Sequence, residues 1–166
     1  GKIVYRSGGL MASSDTYRVV IRGRQTHGAL PWNGIDPITV SSQVITSMQS
    51  LVSRQVDLTL TPAIVTVGYI RGGVRHNIIP DSVEFGGTIR TFDEPTRDSL
   101  LVRFQRIVTA MADANGAKAT VVITPGSPVT YNDPALTEAM APTLRRALGA
   151  AQVEIGRQTT TSEDYS

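Results

Sequence analysis

Hydrophobic and polar residues alternate along residues 15–26, and this alternation predicts a strand with one buried face. Tyr17, Val19 and Ile21 fall on one side, whereas the three residues between and after them, two of them arginines, fall on the other. Three further runs rich in β-branched residues also predict strands. These runs lie at residues 63–70, 82–92 and 118–124.

Two amphipathic helices are predicted between these strands. Asp36-Pro37 begins the first and Asp93-Glu94-Pro95 begins the second, because Asp caps the free N–H groups of a first turn and Pro is tolerated there. Apolar residues follow each start at helical spacing, which gives each helix one apolar stripe. Asn115-Gly116 ends the second helix, since Gly suits the left-handed position after a helix.

The predicted order is β-α-β-β-α-β over residues 14–125. Two helices on one face of a four-stranded antiparallel sheet would bury both apolar stripes, which defines an α+β fold with the ferredoxin-like sandwich architecture. Gly86-Gly87 inside the third strand predicts a bulge or a close approach of backbones. The architecture by itself does not define a function.

The flanks, residues 1–13 and 126–166, do not fit that unit. They are interpreted as fragments of an α/β catalytic domain into which the unit is inserted, so the chain is expected to be an internal segment of a longer protein. In the second flank, Asp133-Pro134 predicts a helix, Pro142 predicts a kink or break in it, and residues 153–156 predict a short strand.

Composition excludes several classes of function. The net charge is only +2 and the basic residues form no run, which disfavours nucleic acid as a partner. The chain has no cysteine, which excludes disulfides and thiolate metal sites. No segment approaches the roughly 20 apolar residues of a membrane span. A chain without cysteine fits cytosol and periplasm alike, with a slight preference for the cytoplasm.

Four positions could carry chemistry, and each also has a structural explanation. His27 is a surface residue after a strand or a donor to a developing oxyanion. Asn77 is a turn former or a ligand contact, and Arg90 is an ion-pair partner or a clamp for a carboxylate. Glu163-Asp164 is a helix cap or a source of carboxylates. The two histidines are far apart in sequence and no metal-binding motif is present, so no metal site is predicted in this chain.

Four segments taken together resemble a known family. They are GLMASSDTYRVVIRGRQTHGALPWNGIDPI, SMQSLVSRQVD, VTVGYIRGGVRHNIIPDSVEFGGTIRTFD and SEDYS. In this order they resemble the M20 family of metal-dependent amidohydrolases and peptidases, within its branch of hippurate hydrolases, N-acyl-amino-acid amidohydrolases and carboxypeptidase-like enzymes. Each motif is short, and it is the ordered set that is specific.

The resemblance implies that the active site is formed by two domains, of which this chain contains one. A catalytic domain outside this chain would hold a divalent metal centre, expected to contain two zinc ions, and would hydrolyse an N-acyl amino acid or a small peptide. This chain would be the inserted lid, also called the dimerisation domain, with no metal of its own and a homodimer contact. His27 would polarise the scissile carbonyl, while Asn77 and Arg90 would hold the substrate carboxylate. The SEDYS segment resembles a Glu-Asp-Phe stretch of the catalytic cleft, with Tyr165 in place of Phe, and His76 replaces a smaller residue.

The positions of these residues on the sheet predict a composite site. The first and third strands are expected to be parallel neighbours, which would place His27 and Arg90 at one end and Asn77 at the other. The site would then be shared between domains, and between subunits in a dimer. The alternative is a ferredoxin-like dimerisation or small-ligand-binding module without catalysis. An RNA-binding version is disfavoured because only 5% of the residues are aromatic.

Overall fold

A computed structural model describes residues 1–163, and Asp164, Tyr165 and Ser166 lie outside that range. The strands in this range are β1 (Ile3–Tyr5), β2 (Gly8–Met11), β3 (Asp15–Arg22), β4 (Thr26–His27), β5 (Ala63–Gly72), β6 (Ile78–Ile79), β7 (Ser82–Thr91), β8 (Lys118–Thr124), β9 (Thr130–Asn132) and β10 (Val153–Ile155). The α-helices are α1 (Pro37–Gln55), α2 (Glu94–Ala114) and α3 (Pro134–Leu148).

The central element is a four-stranded antiparallel sheet in the order β5-β7-β3-β8. In β3 and β7, Asp15 lies opposite Ile89 and Arg22 lies opposite Ser82, so these neighbours are antiparallel. The predicted parallel pairing of the first and third strands was therefore wrong. The physical reason is the connection: α1 returns the chain so that β5 runs in the same direction as β3, and the hairpin after β5 then reverses the direction of β7.

One apolar core joins the sheet to α1 and α2, as the two stripes predicted. Tyr17, Val19 and Ile21 are buried on the covered face, together with residues from both helices. The Tyr17 ring lies 4.6 Å from the ring of Phe104 in α2, and its hydroxyl donates a hydrogen bond to the Thr66 carbonyl oxygen at 2.8 Å. Each large side chain buried here contributes about 1.5–3 kcal/mol, which holds both helices on a single face of the sheet.

The predicted helix ends are confirmed. The Asp36 carboxylate accepts hydrogen bonds from the N–H groups of Ile38 and Thr39 at the start of α1. The Asp93 carboxylate caps α2 by accepting from the Thr96 N–H at 2.8 Å. After α2, Gly116 adopts φ +73°, the left-handed conformation expected of a glycine that ends a helix.

The pair Gly86-Gly87 is a place of close backbone approach. A Cβ added to Gly87 would lie 1.7 Å from the Thr66 carbonyl oxygen of the neighbouring strand, so no larger residue fits without a shift. The irregularity of the ladder itself lies in that neighbour, between Val67 and Tyr69 of β5. The close approach was predicted correctly, and the bulge belongs to the strand opposite the glycines.

The two chain segments that flank the central unit, residues 1–13 and 126–166, pair with each other. β1 pairs in parallel with β10, and β2 pairs antiparallel with β9. The predicted short strand at residues 153–156 is confirmed as β10. A kink or a break was predicted at Pro142. The break was wrong, because α3 continues through this residue. This helix is largely exposed, so water can bind the carbonyl that a proline leaves without a donor. None of the helices in the described range is both long and apolar enough to cross a membrane.

Candidate functional site

His27 lies beyond the end of β3, in the short strand β4. Its neighbour there is β6, with Thr26 opposite Ile79 and His27 opposite Ile78. The Gly28 N–H donates a hydrogen bond to the Asn77 carbonyl oxygen at 2.8 Å. We call this end of the sheet, formed by residues 26–28 and 77–79, the tip. It brings His27 and Asn77 together, although they are 50 positions apart in sequence.

The residue after His27 has to be small. A Cβ added to Gly28 would lie 3.1 Å from the Asn77 carbonyl oxygen and 3.2 Å from its carbonyl carbon. Both distances are tighter than ordinary contacts, and the neighbour is backbone that cannot move aside like a flexible side chain. Gly28 therefore permits the close pairing that fixes the backbone of His27 beside that of Asn77.

A backbone hydrogen bond selects one tautomer of His27. The Ala29 N–H donates to Nδ1 of His27 at 3.1 Å. A ring nitrogen that accepts a hydrogen bond carries no proton, so the proton of the neutral imidazole lies on Nε2. The His27 residue is exposed. Its Nε2–H is thus a donor held by the tip and directed away from the backbone contact, which is the state that oxyanion stabilisation needs.

Asn77 and His76 are both exposed on the same connection. The Asn77 carbonyl oxygen accepts from the Gly28 N–H, which places this residue at the tip beside His27. Nothing in the structure explains His76. They are sequence neighbours and both are exposed, but the backbone hydrogen bond with Gly28 is made by Asn77.

Arg90 lies at the opposite end of the sheet from the tip. It is the ninth residue of β7, and eight strand residues at about 3.3 Å each put it about 26 Å from the start of that strand. Its Nη1 donates to the Thr160 carbonyl oxygen at 3.1 Å, so the guanidinium of this half-buried residue contacts the C-terminal flank. Glu163 closes the described part of that flank and is exposed. Its predicted partners in the SEDYS segment, Asp164 and Tyr165, lie outside the described residues.

The predicted placement of His27 and Arg90 at one end of the sheet, with Asn77 at the other, was therefore wrong. His27 and Asn77 share the tip, and Arg90 is the residue that stands apart. The strand pairing of β4 with β6 was missed by sequence reasoning, because two residues give no periodicity. The glycine directly after the histidine was the one local signal of a close backbone contact.

The described residues do not form a metal centre. Within residues 1–163, no group of three or more His, Cys, Asp or Glu side chains is arranged to hold an ion. The resemblance places the metal centre in a catalytic domain outside this chain, so the residues described here would act on a substrate through hydrogen bonds and charge.

Comparison with known proteins defines the family. A model of the peptidase dimerisation domain of the M20 family matches residues 12–115, so the chain belongs to this family. An N-acetyl-L-cysteine deacetylase from Bacillus subtilis is 39% identical over 166 residues, which cover 100% of this chain and 39% of the relative. An N-acyl-L-amino acid amidohydrolase from Geobacillus stearothermophilus is 41% identical over 117 residues, covering 70% of this chain and 31% of the relative.

A solved structure supports the same assignment. A dinuclear metal binding peptidase of the M20 family from Bacillus subtilis has a TM-score of 0.78 and 29% sequence identity, over 98% of this chain and 39% of that chain. The present chain spans about two fifths of the length of the first relatives it matches. The recognition of the family from its ordered motifs is confirmed.

Proposed function

We propose that this chain is the lid and dimerisation segment of a metal-dependent hydrolase that cleaves the amide bond of N-acyl amino acids or small peptides. Membership in the M20 family and the acylated amino acids in the names of two relatives support the substrate class. The single observation that carries a catalytic role is the contact at the tip, where the Ala29 N–H leaves the His27 proton on the exposed Nε2.

In the proposed reaction, His27 donates its Nε2–H to the amide oxygen as negative charge develops on it. A donor that is already oriented needs no reorganisation in the transition state, and loss of one such donor typically costs about 2.7–4 kcal/mol of barrier. The metal ions, with zinc as the expected metal, would be held by sequence beyond the described residues and would supply the activated water.

Asn77 and Arg90 are proposed to hold the substrate carboxylate. A guanidinium can bind a carboxylate through two parallel hydrogen bonds, and an amide adds a further donor. A substrate of two residues is at most about 7 Å long, however, whereas the tip and Arg90 are separated by most of a strand. One copy of the chain therefore cannot bring His27 and Arg90 to the same substrate.

A two-fold dimer removes this separation. Within residues 1–163, β5 pairs with β7 on one side only, so its other edge offers N–H and C=O groups that no strand of this range pairs. If two copies pair antiparallel along β5, the Gly72 end of one copy meets the Ala63 end of the other. Ile64 is the register partner of Arg90, so the tip of each copy would approach the Arg90 end of its partner. We propose that each site takes His27 and Asn77 from one copy and Arg90 from the other.

The proposed architecture completes this assignment. Residues 14–125 would be the ferredoxin-like lid, and residues 1–13 and 126–166 would belong to the catalytic domain. The pairing of the flanks with each other supports the division. The apolar stripe of α3 also supports it, because Leu136 is 63% exposed and Met140 is 45% exposed. A stripe of this kind is expected to pack against the rest of a catalytic domain.

The two histidines of the chain provide a matched test of catalysis. In the complete enzyme, His27→Ala is expected to lower kcat for an N-acetyl amino acid about 10²–10³-fold, the usual loss for one oxyanion donor. His76→Ala removes the other exposed imidazole, on the connection that carries Asn77, and should leave kcat unchanged. If the two variants have the same activity, His27 is not a catalytic residue.

Mixing two impaired variants, assayed with substrate well below the KM of Arg90→Ala, tests whether the site is shared between copies. His27→Ala and Arg90→Ala subunits, mixed in equal amounts and allowed to exchange, form mixed dimers as about half of the population. Each mixed dimer has one site with both defects and one intact site, so about one quarter of the wild-type sites return. Recovery of activity to this level supports the shared site. No recovery, with subunit exchange verified by mass spectrometry, would show that both residues act within one chain.

A further inference from the structure

The open face of the central sheet contains a large concave site separate from the one described above. The connection from β5 to β7 folds over the sheet, and the space between them has a volume of about 730 Å³. This is within the roughly 300–1,000 Å³ of small-molecule sites. Val20 and Thr120 contribute to its lining, and Val74 and Pro80 contribute from the connection. His27, Asn77 and Arg90 do not line it.

The lining is strongly basic. Four arginines, Arg18, Arg22, Arg71 and Arg75, surround this space together with two acidic residues. Those positive charges come from β3, β5 and the connection after β5, so they are far apart in sequence and are assembled only by the fold. A cleft with one sign of charge concentrates the electrostatic field and attracts ligands of the opposite sign.

Glu84, one of the two acidic residues in the groove, already forms an ion pair. Glu84 accepts hydrogen bonds from Arg18, including one from Nε at 2.8 Å, and from the Tyr69 hydroxyl at 3.0 Å. These bonds, with the one from Arg18 as the larger cause, hold the pKa of Glu84 below its usual value. Arg71 stacks over the Tyr69 ring, with its guanidinium carbon 4.9 Å from the ring centre. Glu84 thus neutralises Arg18 and, through its hydrogen bond with the Tyr69 hydroxyl, holds the ring on which Arg71 stacks.

The remaining positive charge has no ion-pair partner in the described part of the chain. Arg22, Arg71 and Arg75 form no ion pair within residues 1–163, and the second acid of the groove, Asp81, accepts its side-chain hydrogen bond from Ser82. Guanidinium groups that share a concave space repel one another, and this arrangement contributes nothing to the core of the fold. Their planar donors match the oxygens of carboxylates and phosphates.

We propose that this groove binds a compact anion that carries two or more acidic groups, either carboxylates or phosphates. Arg22 and Arg75 would contact the acidic groups directly from opposite walls, and Arg71 would add a stacked guanidinium. Ile78 and Pro80 line the same space and lie in the segment that carries Asn77 and pairs with β4. A bound anion would therefore contact the back of the tip, separate from the proposed substrate site.

Calorimetric titration of the complete protein at low salt tests the site. Tricarballylate and inorganic pyrophosphate serve as the carboxylate and phosphate probes with more than one acidic group, and acetate serves as the singly charged comparison. We expect at least one of the first two to bind with a dissociation constant below about 1 mM, and acetate to bind at least about tenfold more weakly. Which probe binds more tightly identifies the acidic group that the groove prefers.

Variants locate the binding. Arg22→Ala combined with Arg75→Ala should weaken the better probe at least about tenfold, the loss expected when charge-assisted hydrogen bonds are removed. Arg54→Ala combined with Arg106→Ala, which removes two exposed arginines from α1 and α2, is the matched control for loss of two positive charges and should leave the affinity unchanged. The affinity should also be unchanged in Arg90→Ala, which separates this site from the proposed substrate carboxylate site.

Chemical protection gives a second readout that does not require a variant to fold. Phenylglyoxal forms adducts with guanidinium groups, and peptide mass spectrometry can follow each arginine separately. The bound probe should slow modification of Arg22 and Arg75 at least about fivefold while Arg106 reacts as before. Saturation by neither probe up to about 10 mM, or equal modification rates with and without probe, would overturn the proposal. Activity plays no part in either readout, so the result stands whether or not His27 is catalytic.

Discussion

A buried ion pair ties the start of the central sheet to the first turn of α2. Asp15 is fully buried, and the side chain of Arg97 is only 12% exposed. Arg97 donates from Nε to Oδ2 of Asp15 at 2.8 Å and from Nη2 to Oδ1 at 2.6 Å. Its Nη1 also donates to Glu94 at 2.9 Å. The Gly126 N–H donates to Asp15 at 3.4 Å, so the same carboxylate also reaches the chain as it leaves β8.

Replacing Arg97 with Ala should destabilise the protein strongly. The variant leaves the Asp15 carboxylate in the interior without its cation, and breaking a buried pair in this way costs about 3–5 kcal/mol. For a unit of this size, a loss of 1 kcal/mol lowers Tm by about 2–4 °C, so the expected decrease is about 6–20 °C.

The decrease should not depend on pH in the neutral and mildly alkaline range. The hydrogen bond with Asp15 is the largest cause of the raised pKa of Arg97. A raised pKa of a cation means that its contribution is complete below the pKa of the unfolded chain and is lost only as the pH rises through the folded value. Both values lie above the range in which the protein would be measured.

Urea unfolding followed by circular dichroism measures the effect. Arg106→Ala is the control, because it removes an exposed arginine from the same helix and should change stability by no more than about 0.5 kcal/mol. The double variant Asp15→Leu and Arg97→Leu should lose less than Arg97→Ala alone, since no charge is left buried. A loss below about 1 kcal/mol for Arg97→Ala, or a double variant worse than the single one, would contradict this account of the pair.

Two further outcomes test the charges on the sheet. Arg90→Ala in the complete enzyme is expected to raise KM mainly for substrates with a free carboxylate, and an unchanged KM would show that Arg90 only anchors the flank through Thr160. Glu84 should titrate below its usual pKa of 4.5, so its contribution to stability is present at neutral pH and is lost as the pH falls through the lowered value. Arg18→Ala should move this titration, followed by NMR, back towards 4.5, and no movement would mean that Arg18 does not hold the carboxylate.

Local features of the fold could be predicted because their causes are local. Asp36 and Asp93 each precede a helix that has Pro in its first turn, and the cap needs only residues within one turn. The strand at Lys118–Thr124 was predicted with its observed bounds, since alternation and β-branching are properties of the strand itself. Pro142 shows the limit of this reasoning, because its effect depends on whether water or protein surrounds the helix.

Features of the site depended on contacts across the fold. The tautomer of His27 follows from one N–H two residues away, but only in the turn that the β4–β6 pairing creates. The basic groove is built by arginines at positions 18, 71 and 75, which no spacing rule connects. The direction of β7 relative to β3 was misjudged because strand direction is set by the whole path of the chain and not by any one strand.

The antiparallel direction of β7 relative to β3 places His27 and Arg90 at opposite ends of the sheet. A hinge between a lid and a catalytic domain can move the lid as a body, but it cannot shorten the distance between His27 and Arg90. Both residues belong to a hydrogen-bonded unit, because β7 pairs along its length with β3 and β5 while the tip is joined to its start. Stretching or folding this ladder would break many hydrogen bonds at once. Under the proposed roles of His27 and Arg90, one substrate would therefore have to contact two copies of the chain, and dimerisation would be a condition of catalysis, with stability a secondary benefit.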